Sequence, residues 1–278
     1  MKLLSPIRQE KPWGYEDWIA TTFHSCAQKE FCNVIKDFPL LVKIIKAEEF
    51  LSLQVHPDDK KAVELEGKGN RGKTECWYIL DAEKDAKLIY GFNKNYTNEE
   101  IEQNIKSTTL ENLVNFVNVK KDDFIFIPSG TLHAIGSGIT LLEVQQSCNT
   151  TYRLYDWGRN RELHIAKGIS SLKNQKLPEI KELSDFECEY FSVQKKIVKG
   201  GYSFLGGTNI FNEKENIFLP ELCYIDEGKN LSATFTDKNG NRTENLYLYE
   251  KQIFLIEKNE KITIEGNGSI IRIKPKTI

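Results

Sequence analysis

The sequence predicts a mainly β protein built as two β-barrel modules with a small helical insertion. Three observations carry this. Many segments of four to eight residues alternate apolar and polar side chains, the period of a half-buried strand. Turn residues separate those segments at short, regular intervals, and many evenly spaced strands imply a barrel or sandwich. Helical spacing is confined to a few short stretches. The strands fall into two clusters, about 36–172 and 185–278. The predicted division is therefore 1–172, an N-terminal arm and a first barrel, and 173–278, a linker and a second β module without histidine.

In chain order, the first 35 residues mix aromatic and polar residues, as in Pro12-Trp-Gly-Tyr-Glu-Asp-Trp, and read as an extended arm. Trp13 and Trp18 are read as packing residues. Leu40-Leu-Val-Lys-Ile-Ile-Lys-Ala is rich in branched apolar residues and reads as a strand. Leu51 to Val55 is the next, stopped by Pro57, which has no N–H to donate. Asp58 or Asp59 is placed to cap a short helix through Glu66. Gly67-Lys-Gly-Asn-Arg-Gly is a loop leading into a strand with Glu75, and a further strand follows at Ala86 to Tyr90.

Thr97-Asn-Glu-Glu is a capping box opening the helical insertion, about 97–117, in which Ile101, Ile105, Leu110, Leu113, Val114 and Val117 keep helical spacing. Strands resume at Asp123 to Ile127, Thr140 to Gln146 and Thr150 to Trp157, and the Lys/Glu-rich stretch 173–183 reads as the linker. Beyond it come short strands divided by turn signals, among them Lys238-Asn-Gly-Asn and Glu265-Gly-Asn-Gly.

Composition narrows the function. The chain has 278 residues, 40% hydrophobic and 28% charged, ordinary for a soluble globular protein with a sizeable core. A formal net charge of −2 gives no reason to expect a nucleic-acid or anionic-membrane partner. No apolar run approaches the roughly 18 residues of a membrane span. Met1-Lys-Leu-Leu-Ser-Pro turns polar too soon for a signal peptide, so a cytoplasmic location is expected. The cysteines, at 26, 32, 76, 148, 188 and 223, form no Cys-x-x-Cys pair and are expected as reduced thiols.

Two of the four histidines sit where strand alternation gives them polar company. In Leu51-Ser-Leu-Gln-Val-His-Pro-Asp-Asp, Gln54 and His56 share a face. In Gly72-Lys-Thr-Glu-Cys-Trp-Tyr, Lys73 and Glu75 share one, and His133 follows the turn Pro128-Ser-Gly-Thr-Leu-His-Ala. Two imidazoles, a carboxylate and an amide on facing strands make a metal site with room for substrate. A carboxylate beside Cys76 and Trp77 lies in an apolar strand and needs a partner, either a metal or Lys73. Lys73 is a surface lysine or, if buried near a cation, a proton carrier with a lowered pKa. Arg153 is an ordinary partner for Asp156 or Glu143, or a binder of anionic substrate. His24 and His164 are read as structural.

Together, Leu51 to Asp59, Gly72 to Leu80, Ile127-Pro-Ser-Gly-Thr-Leu-His-Ala-Ile-Gly and Leu141-Leu-Glu-Val-Gln-Gln-Ser, continuing to Thr151-Tyr-Arg-Leu-Tyr-Asp-Trp, resemble the type I mannose-6-phosphate isomerases, in their short bacterial form. The resemblance covers roughly 10–172 closely and the rest loosely. It implies the cupin (jelly-roll) fold and interconversion of mannose 6-phosphate and fructose 6-phosphate through an enediol. It also implies one Zn²⁺ per chain on Gln54, His56, Glu75 and His133, and a catalytic group of Lys73, Glu143 and Arg153. Lys73 is the first choice for proton transfer and Glu143 the second. Larger members have His-Lys-Pro-Glu where this chain has Gly72-Lys-Thr-Glu, so a role assigned to that histidine does not transfer. The implied partner is a small sugar phosphate, with the chain a monomer or weak homo-oligomer. The rival readings are an iron cupin oxygenase, which shares the two-histidine, one-carboxylate ligand set, and a non-catalytic sugar-phosphate-binding cupin.

Overall fold

The computed structural model describes residues 2–23, 29–32, 35–211, 216–237, 239–242 and 245–277. His24, Cys26 and Lys238 of the readings above lie outside them. Strands dominate, as the sequence predicts, and the fold is that of the cupins. The chain divides into two compact units: one comprises Arg8–Trp18 and Leu41–Glu182, the other Met1–Ile7, Ile19–Leu40 and Leu183–Ile278. The sequence placed the boundary at 172/173 and kept the whole N-terminal arm with the first barrel. The difference has a visible cause. Lys2–Leu4 pairs antiparallel with Ile253–Ile256, so the first strand belongs to the sheet of the C-terminal unit.

The unit containing Leu41–Glu182 is a barrel of two facing sheets. One runs in the order Lys181–Glu182, Asp123–Ile127, Glu75–Ala82, Ile139–Gln146, Leu40–Ala47, Gly14–Ala20, Ile7–Lys11. The other runs Tyr152–Tyr155, Leu53–Val55, His133–Ala134, Lys87–Phe92, Val114–Asn118. Strand alternation sorts the side chains into two clusters. Ile45, Trp77, Ile79, Leu88, Tyr90, Ile125, Ile135 and Leu141 fill the interior. Leu53, Val55, Ile89, Leu132 and Leu154 face the other way, against Ile101 and Ile105 of the helix Asn98–Lys106. Because Leu53 and Val55 face outward, Gln54 and His56 face inward.

Local signals hold where their chemistry is self-contained. Thr97 caps the helix Asn98–Lys106 with both bonds of a capping box, and Asp58 caps Asp59–Glu66 by accepting from the Lys61 N–H at 2.7 Å. The insertion is shorter than its apolar spacing predicts. After the helix comes a single 3₁₀ turn, Leu110–Leu113, and Val114–Asn118 is a strand paired with Lys87–Phe92. Edge pairing with Lys87–Phe92 overrides a helical period that only four residues support.

The stretch 173–183 is not a free linker. Lys173 N–H donates to Gly130 O at 3.0 Å, and Gln175 Nε2 donates to Ser129 O and Thr131 Oγ1, both at 3.2 Å. Leu177 and Ile180 pack on the interior cluster, and Lys181–Glu182 joins the sheet.

In the C-terminal unit, three long strands, Phe191–Leu205, Glu221–Thr236 and Lys261–Pro275, replace the short ones predicted. Glu265-Gly-Asn-Gly is not a turn but the middle of a strand, with Gly266 at φ 118° opposite Gly200. The partner strand slips register between Ile225 and Glu227 and again between Lys229 and Ser232. Glycines and slips let long strands bend round a barrel, where the sequence alone reads a break. The Asn239-Gly240 turn does close, with Asp237 N–H donating to Asn241 O at 3.0 Å.

Inside this unit Arg272 forks onto Glu221, with Nη2 to Oε2 at 2.9 Å, and also reaches the Tyr202 hydroxyl. Glu221 is fully buried. Arg272→Met should therefore destabilise the protein by about 3–5 kcal/mol by stranding that charge, and Glu221→Gln together with Arg272→Met should cost markedly less. Chemical denaturation of the three chains checks this.

Candidate metal centre and active site

The pairing register assembles the site. Gln54 stands opposite His133 on one side and Arg153 on the other, so the three form a row across neighbouring strands. Glu75 opens its strand on the facing sheet, between Ile127 and Gln145. His56 follows the strand Leu53–Val55, and Lys73 precedes Glu75 by one strand period. The result is a compact buried cluster: ligand atoms of His56, Glu75 and His133 all lie within 4.8 Å of one another.

Its hydrogen bonds fix its chemistry. His56 Nδ1 lies 3.0 Å from Thr150 O and His133 Nδ1 lies 2.9 Å from Thr131 O. A carbonyl only accepts, so each Nδ1 carries the proton and each Nε2 presents a lone pair. Both Nε2 atoms aim at Glu75, His56 at 3.6 Å from Oε2 and His133 at 3.3 Å from Oε1. Burial is the main cause holding both imidazoles neutral, His133 down to about 4 and His56 well below its ordinary value. Burial likewise pushes the Glu75 carboxyl up, with the Glu143 charge adding to it and Lys73 opposing. Neither Glu75 oxygen has a well-aligned hydrogen bond among the described residues. Two lone pairs and a buried carboxylate thus converge, with the Lys73 amine beside them. That arrangement suits a cation, and carbonyls behind each Nδ1 are the usual support for metal-binding imidazoles. Gln54 presents its amide Nε2 to His133 Nε2 at 3.3 Å; its carbonyl oxygen faces the cluster only with the amide turned over.

Lys73 is buried, not a surface lysine. Its Nζ lies 2.8 Å from Glu75 Oε2 and 3.0 Å from His56 Nε2. The two partners that the sequence offered Glu75 are therefore not exclusive: Lys73 serves one oxygen and leaves the other to the histidine side.

Glu143 is held differently. It accepts from Trp77 Nε1 at 3.0 Å and pairs with Lys43 Nζ at 2.9 Å. Lys43 also approaches Glu16, at 3.8 Å, and Glu16 accepts from Trp18 Nε1 at 2.7 Å. Burial alone would raise the Glu143 carboxyl, but Lys43 and Lys73 outweigh it and hold it well below the usual range. Burial opposes the Lys43 charge too, yet Glu143 and Glu16 raise its pKa on balance. Sequence reasoning missed Lys43 and Glu16 and took Trp18 as packing. A signal was present: a lysine inside a branched apolar strand cannot be buried without a partner.

Arg153 pairs with neither Asp156 nor Glu143. Asp156 is taken by Arg159 and Arg161. Arg153 Nη1 donates to Glu162 O at 2.7 Å, its backbone N–H to His164 Nδ1 at 3.2 Å, and its buried Nε has no partner among the described residues. It is set two strand spacings from His133, about 10 Å between backbones, and carries an unused donor. Cys32, Cys148, Cys188 and Cys223 are free thiols.

Fold and cluster together define a cupin with a buried two-histidine, one-carboxylate centre, flanked by a lysine and an ion-paired glutamate. Comparison narrows the class further. Residues 3–119 match the family model of the phosphomannose isomerase type I catalytic domain. Mannose-6-phosphate isomerase ManA of Bacillus subtilis (strain 168) is 45% identical over 183 residues, 60% of this chain and 58% of that protein. The mannose-6-phosphate isomerase of Streptococcus mutans serotype c is 48% identical over 141 residues, 49% of this chain and 44% of that one. These matches span less than two thirds of the relatives' lengths. The crystal structure of the mannose 6-phosphate isomerase from Bacillus subtilis superposes with a TM-score of 0.78 at 27% identity, over 98% of both chains. A zinc-bound mannose 6-phosphate isomerase shares the fold, at a TM-score of 0.66 and 14% identity over 99% of both chains.

The ion pair carries a pH-dependent share of stability. Glu143 is held below its ordinary value of 4.5, so it stabilises the fold above that pH and the contribution is lost as pH falls further. Lys43→Met strands the carboxylate and should lower stability by about 3–5 kcal/mol near neutrality. Denaturation followed from pH 7 downward should show the gap between mutant and wild type narrowing on the acid side.

Proposed function

We propose that this chain is a metal-dependent aldose–ketose isomerase that interconverts mannose 6-phosphate and fructose 6-phosphate through an enediol. We propose further that it holds one Zn²⁺ on His56, Glu75 and His133, with Gln54 as a fourth ligand through its amide oxygen. The observation that carries this reading is the meeting of two neutral Nε2 lone pairs with a buried carboxylate, beside a buried lysine. When bound, zinc polarises substrate oxygens and stabilises negative charge developing on them.

The chain's own residues supply the rest. Lys73 moves the proton between C1 and C2; its Nζ is buried at the edge of the cluster, within reach of a substrate held there. Glu143 is tied to Lys43 and Trp77 as a carboxylate, which suits it to fixed negative charge better than to carrying a proton. Arg153 turns its unused Nε toward an anionic oxygen of the substrate. The lysine beside the carboxylate favours this reading over an iron oxygenase, which needs open metal positions and no amine at that place. The proposed location is the cytoplasm, where charged sugar phosphates are retained.

The deciding measurement is a coupled isomerase assay on chelated protein, with and without added Zn²⁺. Turnover should vanish on chelation and return with zinc. Zinc-loaded protein that binds mannose 6-phosphate without turning it over would leave only the binding cupin. His56→Ala and His133→Ala should each lose the metal and melt earlier. Lys73→Met should keep the metal and lower kcat by about 10²–10⁴.

A further inference from the structure

The segment Gly72–Thr74 delivers Lys73 to the site, and its backbone is tied at every residue. Gly72 N–H donates to Asp59 Oδ1 at 2.7 Å, Lys73 N–H to Pro57 O at 2.9 Å, and Thr74 N–H to Gln146 Oε1 at 2.8 Å. Gln146 closes the ring. Its Nε2 donates to the same Asp59 Oδ1 at 3.1 Å, and its backbone N–H donates to Thr74 O at 3.1 Å. Gln146 and Thr74 are both buried. Gly72 lies so close to the first turn of Asp59–Glu66 that a Cβ would stand 2.5 Å from Asp58 C and from Asp59 N. No side chain fits there, so the segment lies flat on the helix start and Asp59 reaches its N–H directly.

A lysine side chain has about 2 kcal/mol of rotamer freedom to lose, so its amine stays in one place only when its backbone does. The ring of Asp59, Gln146 and the segment meets that need from outside the cluster. We propose that Asp59 and Gln146 are positioning residues: they brace Gly72–Thr74 so that Lys73 Nζ stays between Glu75 Oε2 and His56 Nε2. The kinetic consequence rests on the proton-transfer reading of Lys73; the geometric one does not. Misplacement of a reacting group by about 1 Å costs on the order of 10²-fold in rate.

The test uses the full-length, metal-loaded chain as wild type, Gln146→Leu and Asp59→Ala; Asp59 is only half-buried, so the second variant tests the same ring away from the buried Gln146. Metal content, kcat and KM are measured, together with acetylation of Lys73 by acetic anhydride, read by peptide mass spectrometry. Lys73 should become several-fold more reactive as its segment loosens. kcat should fall about 10²-fold with KM changed less than about threefold and metal retained. In a Lys73→Met background, Gln146→Leu should cost less than about threefold, because the two act through one group. Unchanged Lys73 labelling in both variants, or an equal loss of kcat in the Lys73→Met background, overturns the brace. Raised labelling with unchanged kcat supports the brace and overturns the role of Lys73 in proton transfer.

Discussion

A carboxylate at the head of an apolar strand is the constraint on which this site depends. Glu75 is fully buried, has Cys76 and Trp77 as chain neighbours, and stands between Ile127 and Gln145 on adjacent strands. A lone buried charge there would cost several kcal/mol, so the surroundings must answer it. They do so from the facing sheet, which supplies two imidazoles whose protons are committed to backbone carbonyls, and from Lys73 one strand period earlier. The turn Pro128–Leu132 and the segment 173–177 pack together, which steadies the approach of His133. The barrel is in this sense a frame for one anion and its partners.

A second buried charge system lies beside the first and uses the same logic with a different result. Lys43 and Glu143 pair with each other, the Trp77 indole N–H donates to Glu143, and the Trp18 indole N–H donates to Glu16. The Glu75 carboxyl is raised, chiefly by burial, and the Glu143 carboxyl is held ionised by Lys43 and Lys73. Neighbouring carboxylates whose environments drive them apart are a mark of functional sites. The N-terminal strand contributes here through Glu16 and Trp18, so the arm is part of the electrostatics of the site and not only its cover.

The C-terminal unit shows how a barrel manages buried charge without a metal cluster. Arg272 and Glu221 form a bidentate pair with Tyr202 and the Phe204 ring alongside, and Asp226 is answered by Lys195 and Ser269. Each charge has its counter-charge and its hydrogen bonds, and no cluster of histidine with carboxylate is found among its described residues. The contrast with Glu75 makes the under-partnered carboxylate in the first barrel more telling.

The sequence by itself determined what depends on short range. Period-2 alternation placed Gln54 with His56 and Lys73 with Glu75, and capping chemistry placed the starts of the helices Asp59–Glu66 and Asn98–Lys106. The mainly β class followed from strand and turn spacing. The ligand motifs were legible because a metal site needs particular residue types at particular strand offsets. Tertiary structure decided what depends on pairing between distant segments. Register alone set Arg153, Gln54 and His133 in one row, and pairing turned Val114–Asn118 into a strand. Long bent strands absorbed Glu265-Gly-Asn-Gly, whose glycines serve a turn and a bend equally well. The link from Lys43 to Glu143 joins residues one hundred apart, and nothing local encodes it. What local sequence did carry was the cost of burying a lysine, which required a partner without saying which.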